Sequence, residues 1–241
     1  MTMDYFAFKG VDSRTMGVKC LELPPITAAQ ERATFEKVAG RSGTVAILEG
    51  ENVLEDMTLN MTCLLDDMAR LDEVFAWLRG RGALALPNRP GGHYVGRIVN
   101  QLELKRVIAA SDKRQFTLSV RCDPYWYLEA NDIEITTSGA SIVNPCNAES
   151  LPRVTVHGSG SVALRIGGQV VTLNDLDGGI VLDSDLMDAL SLDGVQLLNG
   201  HMTGEFFRLA PGTSLVSWGE VSDAPGGSVT RVVIEPRWRN Y

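Results

Sequence analysis

The sequence predicts a mainly β protein of two domains, the first of which carries a single amphipathic helix. Three observations carry this expectation. Two segments alternate strictly between apolar and polar residues, one segment follows helical spacing, and 24 glycines and 10 prolines punctuate short apolar runs. At 241 residues the chain can bury one large core or two smaller ones, and the break in texture near residue 130 favours two. Its 44% hydrophobic and 22% charged residues are ordinary for a globular protein and argue against wholesale disorder.

In the first half, residues 5–8, 18–23, 34–38 and 44–48 are short extended candidates. Gly40, Gly43 and Gly50 lie among them as turn glycines, since the GxxxxGK[ST] spacing of a phosphate-binding loop is missing. Residues 56–64 set Met57, Leu59, Met61 and Cys63 against Asp56, Thr58, Asn60 and Thr62, the period of a strand with one buried face. Residues 115–122 repeat the pattern, with Phe116, Leu118, Val120 and Cys122 inward. Between them, residues 66–79 carry Met68, Leu71, Phe75 and Leu78 at spacings of three and four, which predicts a helix whose apolar stripe covers a sheet. Asp66 or Asp67 can accept hydrogen bonds from its first turn, Arg79 and Arg81 suit its negative end, and Gly80 or Gly82 can stop it. A long extended run is expected over residues 93–107. Pro124 is expected to end the second ladder, leaving Tyr125, Trp126 and Tyr127 as an apolar knot at the domain edge.

Past residue 130 the sequence changes to short strands separated by glycine turns, with no helix of comparable length. Residues 163–173 read as a hairpin around Gly167 and Gly168, both of which need positive φ in the favoured two-residue turn. Asp177, Gly178 and Gly179 read as another. Strands at 205–209, 213–218 and 228–235 have the spacing of a β-sandwich. Residues 185–192 fit either a short helical turn or a loop. Residues 229–238 either complete the second sandwich or send part of the strand back to the first domain, and period two fits both.

The net charge is −8, from 22 basic and 30 acidic residues, so the overall field repels phosphate backbones and anionic lipid. Nucleic acid is therefore not an expected partner, and membrane insertion is not expected because no apolar run approaches the ~20 residues of a span. Met1 to Lys9 lack the basic-then-apolar order of a secretory leader, so synthesis and folding in a cytoplasm are expected. The four cysteines, Cys20, Cys63, Cys122 and Cys146, contain no CxxC pair, and neither a zinc site nor a redox motif is legible. Cys63 and Cys122 fall on the apolar phase of their strands, where a reduced thiol serves as a small hydrophobe.

No catalytic, cofactor-binding or metal-ligating set is expected. His93, His157 and His201 stand far apart without HxH or HExxH spacing, which leaves hydrolytic or metal roles unsupported. Asn174 to Gly178 has alternate oxygen-bearing side chains before a glycine but lacks the third ligand and distal glutamate of a calcium loop, so Asp175 and Asp177 read as parts of an Asp-Gly turn. Ser159, in Gly158-Ser159-Gly160, lacks the GxSxG spacing of a nucleophile elbow and reads as a hairpin turn. Trp218, Trp238 and Tyr241 could stack on a sugar if exposed, whereas core or subunit-interface packing is the expected use of such aromatics.

The order of these features resembles the distal tail proteins of siphophages, also called phage tail family proteins. The resemblance begins with Phe8-Lys9-Gly10-Val11-Asp12-Ser13 and Met16-Gly17-Val18, followed by Gly40-Arg41-Ser42-Gly43, where Ser42 replaces the family's usual acidic residue. It continues through Trp77-Leu78-Arg79-Gly80, Leu84-Ala85-Leu86, Tyr94, and Phe116 to Asp123-Pro124-Tyr125. In the second half it rests on Asn144, Asn147, Leu151-Pro152-Arg153-Val154, Gly158, Gly204-Glu205-Phe206, Pro211-Gly212 and Ile234-Glu235-Pro236-Arg237-Trp238-Arg239. Each piece is a weak pattern alone, and the order over nearly the whole chain carries the resemblance.

The resemblance implies a ring-forming N-terminal β domain over residues 1–130, sandwich- or barrel-like with one helix. Residues 131–241 would then form a galectin-like, jelly-roll type β-sandwich. It further implies a non-enzymatic hub at the virion tail tip, assembled in the host cytoplasm. Its partners would be other copies of itself in a hexameric ring, the tail tube protein, and tail-associated, fibre or receptor-binding proteins. Alternatives are a host-wall carbohydrate-binding tail module, or another tail-tip or tube component. A wall hydrolase would need an acid pair, a nucleophile with its base, or a metal cluster, none of which the sequence displays.

Overall fold

The computed structural model describes residues 4–50, 52–107, 109, 111–220 and 226–241. The protein is mainly β, with 55% of its residues in strands, one short helix and curled sheets. It forms two compact units, Met1–Tyr127 together with Tyr241, and Leu128–Asn240.

In the first unit the strands are β1 (Ala7–Phe8), β2 (Val11–Asp12), β3 (Val18–Glu22), β4 (Ala33–Glu36), β5 (Val45–Leu48), β6 (Met57–Leu65), β7 (Arg81–Leu86), β8 (Arg89–Ile98), β9 (Lys105–Arg106) and β10 (Arg114–Leu128). Helix α1 (Leu71–Trp77) lies between β6 and β7. The main sheet runs β2-β1-β7-β8-β10-β6-β3. The two alternating segments are antiparallel neighbours, β6 and β10, with Phe116 opposite Cys63, Leu118 opposite Met61, Val120 opposite Leu59 and Cys122 opposite Met57. All eight side chains are buried. Each larger one contributes about 1.5–3 kcal/mol of apolar transfer energy, so this double row dominates the unit's core.

The helix forms where expected but presents a different face. Asp67 Oδ1 accepts from the Ala69 amide at 2.9 Å, a one-turn 3₁₀ segment follows, and Gly80 leaves the helix at φ +84°. Val74, Trp77 and Leu78 are the buried residues, whereas Met68, Leu71 and Phe75 of the expected stripe are only half-buried. With about two turns of α-helix, one anchor sets the orientation. The Trp77 ring stacks on Phe6 at 5.7 Å, and its indole N–H donates to the Phe8 carbonyl at 2.9 Å.

Two further expectations are corrected here. Pro124 does not end its strand, because β10 continues to Leu128. Its pairing with β6 ends at Cys122 opposite Met57, so the missing N–H costs no bond on that side. Apart from the two residues of β9, the extended run expected over 93–107 stops at Ile98. There the Asn100 side chain replaces backbone pairing, accepting from the Ser119 amide at 2.8 Å and donating to the Thr117 carbonyl at 2.8 Å.

The second unit contains β11 (Ile133–Ile135), β12 (Ala140–Asn144), β13 (Arg153–Ile166), β14 (Gln169–Asp183), β15 (Asp188–Leu190), β16 (Met202–Thr203), β17 (Gly212–Glu220) and β18 (Ser228–Glu235). The order is β11-β18-β13-β14-β15, with β17 also on β13, β12 on β17 and β16 on β14. One edge of β13 is shared in turn, since residues 153–159 pair with β18 and residues 162–166 with β17. Along its other edge β14 follows it throughout. The change of partner curls the sheet around a core that includes Leu164, Ile166, Leu173, Phe207, Val232, Ile234 and Trp238.

This handover explains several glycines. Gly158-Ser159-Gly160 is not a hairpin turn but lies inside β13 at the bend. A Cβ on Gly158 would sit 2.2 Å from the Ser228 carbonyl oxygen, so only glycine admits the neighbouring strand. Asp177, Gly178 and Gly179 likewise lie within β14, where Gly178 faces Gly158. Gly167 and Gly168 do form the expected hairpin, at φ +58° and +89°. Residues 205–209 make only an isolated bridge between Leu209 and Ser150, and residues 185–192 contain β15 where a helical turn or loop was expected.

Candidate assembly surfaces

Strands β4 and β5 form a sheet of their own, pairing with no other strand among the described residues. Ala33 faces Leu48, Thr34 faces Ile47, Phe35 faces Ala46 and Glu36 faces Val45. Alternation therefore collects Ala33, Phe35, Ala46 and Leu48 on one side of the ribbon, without a charge among them. Its base is fastened by backbone bonds from Arg32 N to the Val53 carbonyl and from Glu55 N to the Gln30 carbonyl, each 2.8 Å. Arg32 adds ion pairs to Glu55 at 3.0 Å and Glu49 at 3.8 Å.

Beyond that base the ribbon stands in solvent. Phe35 is 68% exposed, Leu48 53%, Val38 50% and Ile47 48%. A lone two-stranded ribbon is only marginally stable in water, and apolar area left exposed on it favours association. Phe35 and Leu48 share one side, and covering what remains open on these two is worth on the order of 2 kcal/mol, taking half of the ~1.5–3 kcal/mol of full burial for each.

The first unit also has a groove of about 620 Å³ near the end of α1, lined by Phe75, Leu78, Arg79, Gly80, Arg97, Ile98, Asn100 and Leu102. Its lining combines the apolar Phe75, Leu78, Ile98 and Leu102 with the basic Arg79 and Arg97. Half-burial of Phe75, unexplained by the helical stripe, follows from this position. Sequence reading missed both surfaces, because alternation identifies strands but does not say which ones another sheet covers.

Of the sites weighed from the sequence, Asp175, Asp177 and His201 border one groove of the second unit, and the others lie apart from it. His93 stacks on Tyr127 at 5.8 Å in the first unit. In the second, His157 lies within β13, and His201 Nδ1 is 3.0 Å from the Asn174 carbonyl oxygen. Asp175 occupies a bulge of β14 at φ +51°, and its amide meets Ser161 Oγ at 3.4 Å. No group of three or more His, Cys, Asp or Glu able to hold a metal occurs among the described residues. Trp238 is buried in the second core, Trp218 packs partly buried against it, and Tyr241 lies 5.8 Å from Tyr125. Trp238 is thus withdrawn from any sugar platform.

All four cysteines are free and buried. Cys20 lies opposite Cys63 in the β3–β6 register. The Cys20 contact and burial push the Cys63 thiol well up, while its bond with Cys63 pulls Cys20 down. Burial pushes Cys122 up to about 12.

No family profile and no curated protein sequence matches the chain. Solved structures do. The crystal structure of Dit (gp 19.1) of phage SPP1, described as a paradigm of the hub adsorption apparatus of phages infecting Gram-positive bacteria, aligns with a TM-score of 0.68 at 14% identity. That alignment covers 97% of this chain and 98% of the SPP1 protein. The chain has the fold of a phage tail hub protein. A chain of the phage P2 baseplate in its activated conformation with calcium aligns at TM-score 0.57 and 8% identity, over 100% of this chain and 99% of that one. Its strontium counterpart gives 0.54 and 7%, over 97% and 98%. The resemblance read from the order of sequence features thus holds at the level of the fold, and the hub fold spans both units.

Proposed function

We propose that this chain is a structural, non-enzymatic subunit of a bacteriophage tail tip. Copies meet head to tail and close into a hexameric ring that joins the tail tube to the tail-tip or receptor-binding apparatus. Residues 1–130 form the ring, and residues 131–241 form the galectin-like sandwich that projects from it. Besides other copies, its partners are the tail tube protein and the tail-associated, fibre or receptor-binding proteins. Assembly takes place in the host cytoplasm, and the finished protein resides at the virion tail tip.

The β4–β5 ribbon is the observation that carries this reading. It offers an uncovered apolar face on the first unit, and the groove at the end of α1 is a second patch of that unit with a different lining. A contact between unlike patches repeats by a fixed rotation, and it ends in a ring when that rotation closes. Association costs roughly 4–15 kcal/mol in lost freedom, so a gain on the order of 2 kcal/mol from the ribbon's apolar face leaves a single contact weak. Ring closure adds a last contact at little further entropic cost, which favours the closed assembly over open chains.

Native mass spectrometry and negative-stain imaging test the reading. Hexamers or stacked hexamers are expected at high concentration, and Phe35→Asp with Leu48→Asp should return the protein to a folded monomer. A monomer at every concentration, with no ring of this chain in imaged tails, would overturn the proposal.

A further inference from the structure

Charge is divided unequally along this chain. Residues 1–127 hold sixteen acidic and sixteen basic side chains, whereas residues 128–240 hold fourteen acidic and six basic, so the whole net charge of −8 belongs to the second unit. Within that unit, residues 166–207 contain seven acidic side chains and no lysine or arginine. The same stretch exposes Leu186, Met187, Leu192, Val195 and Leu197, at 63%, 64%, 43%, 78% and 65%. Five large apolar side chains open to water within twelve residues exceed the scattered singles of an ordinary surface.

The segment that displays them is firmly held. Asp183 accepts two hydrogen bonds from the Arg237 guanidinium at 2.8 and 2.9 Å, fixing the start of the loop. The Leu198 amide donates to the Ala189 carbonyl at 2.7 Å, the Ala189 amide to Asn199 Oδ1 at 2.6 Å, and the Ser191 amide to the Gln196 carbonyl at 2.9 Å. A groove of about 400 Å³ borders the loop, walled by Leu192 and Leu198 with Asp175, Asp177 and Asp193.

We infer that this face of the second unit docks a basic polypeptide segment of a different protein, whose aliphatic or aromatic side chains cover Leu186, Val195 and Leu197. Charge complementarity selects the occupant. Arg237 is matched by Asp183, which leaves Asp175, Asp177 and Asp193 along the groove to repel nucleic acid, anionic lipid and acidic peptides, while lysine or arginine flanking an apolar stretch satisfies both components. The inference concerns the second unit alone and does not depend on ring closure by the first.

The test uses the full chain and two labelled synthetic peptides of equal length and leucine content, one rich in lysine and one in glutamate, read by fluorescence anisotropy. The lysine peptide is expected to bind, more weakly as salt rises, and the glutamate peptide to fail. Val195→Ser with Leu197→Ser, and separately Asp177→Lys with Asp185→Lys, should each weaken binding by about tenfold while far-UV circular dichroism stays unchanged. These side chains are exposed, so the variants keep the fold. Equal binding by wild type and both variants, or equal binding of both peptides, would overturn the inference. So would displacement of the peptide by calcium chloride at constant ionic strength, which would reassign the acidic edge to a cation. Loss of the protein's own oligomer in the same variants would make the occupant a second copy and equally overturn it. If the ring fails to form while the lysine peptide binds as described, only the proposed assembly falls.

Discussion

Replacing Arg237 with alanine should destabilise the second unit far more than its place near the chain's end suggests. Asp183 is 6% exposed at its side chain and Arg237 24%, and the two form a bidentate pair at 2.8 and 2.9 Å. Burial pushes the Asp183 carboxyl up, but the Arg237 guanidinium, with the amides of Leu186 and Asp185, outweighs it and holds the carboxyl below the usual range. Removing the cation leaves a buried carboxylate with only those amides. Breaking such a pair costs about 3–5 kcal/mol when fully buried, and Arg237's partial exposure reduces this to roughly 2–3 kcal/mol. At about 4 °C per kcal/mol, the midpoint should fall by roughly 10 °C. A carboxyl depressed in the folded state contributes stability that is present above its unfolded value of about 3.9 and lost as pH falls through the folded value. The gap between wild type and Arg237→Ala should therefore be full at neutral pH and shrink below about pH 4. Differential scanning calorimetry across that range measures it. A loss under about 0.5 kcal/mol at neutral pH, the size of an exposed pair, would refute the reasoning, as would a gap that persists unchanged into strong acid.

Three further outcomes are expected. Leu118→Ala, in the fully buried double row of β6 and β10, should cost roughly 2–5 kcal/mol by denaturant titration, with an unchanged slope if only the cavity matters. Gly92→Ala would place a Cβ 2.3 Å from the Tyr127 carbonyl oxygen and 2.4 Å from the Trp126 ring, so a loss of about 1–3 kcal/mol is expected, and a neutral result in thermal unfolding would contradict that close approach. The buried cysteines should resist iodoacetamide in the native protein and react after denaturation, with Cys122 protected even at mildly alkaline pH because burial pushes its thiol up to about 12. Peptide mass mapping would reveal any exception.

The parts of the fold most legible in the sequence were those whose pattern has a single structural meaning. Met57 to Cys63 and Phe116 to Cys122 alternate without interruption, and alternation over that length fits only a strand with one dry side. Glycine is less specific. Gly167 and Gly168 mark a turn, yet Gly158, Gly160, Gly178 and Gly179 lie inside long strands where a neighbour passes too close for a side chain. Both uses exploit the missing Cβ, so spacing does not separate them. The helix was found but its face was misjudged, because Trp77's bond to Phe8 spans elements far apart in sequence. The strands of the exposed ribbon were legible, but its isolation was not, since exposure depends on what the rest of the chain leaves uncovered. For the same reason the apolar residues Leu186 to Leu197 gave no warning that they face water.

The handover along β13 has a mechanical consequence. With β14 along one edge, and β18 and then β17 along the other, this strand cannot be peeled off by fraying from an end. Opening the curled sheet at either half requires tearing hydrogen bonds on both flanks together. Deuterium should therefore enter the amides of β13 only when the entire unit lets go, making this strand the slowest-exchanging clock of the second unit.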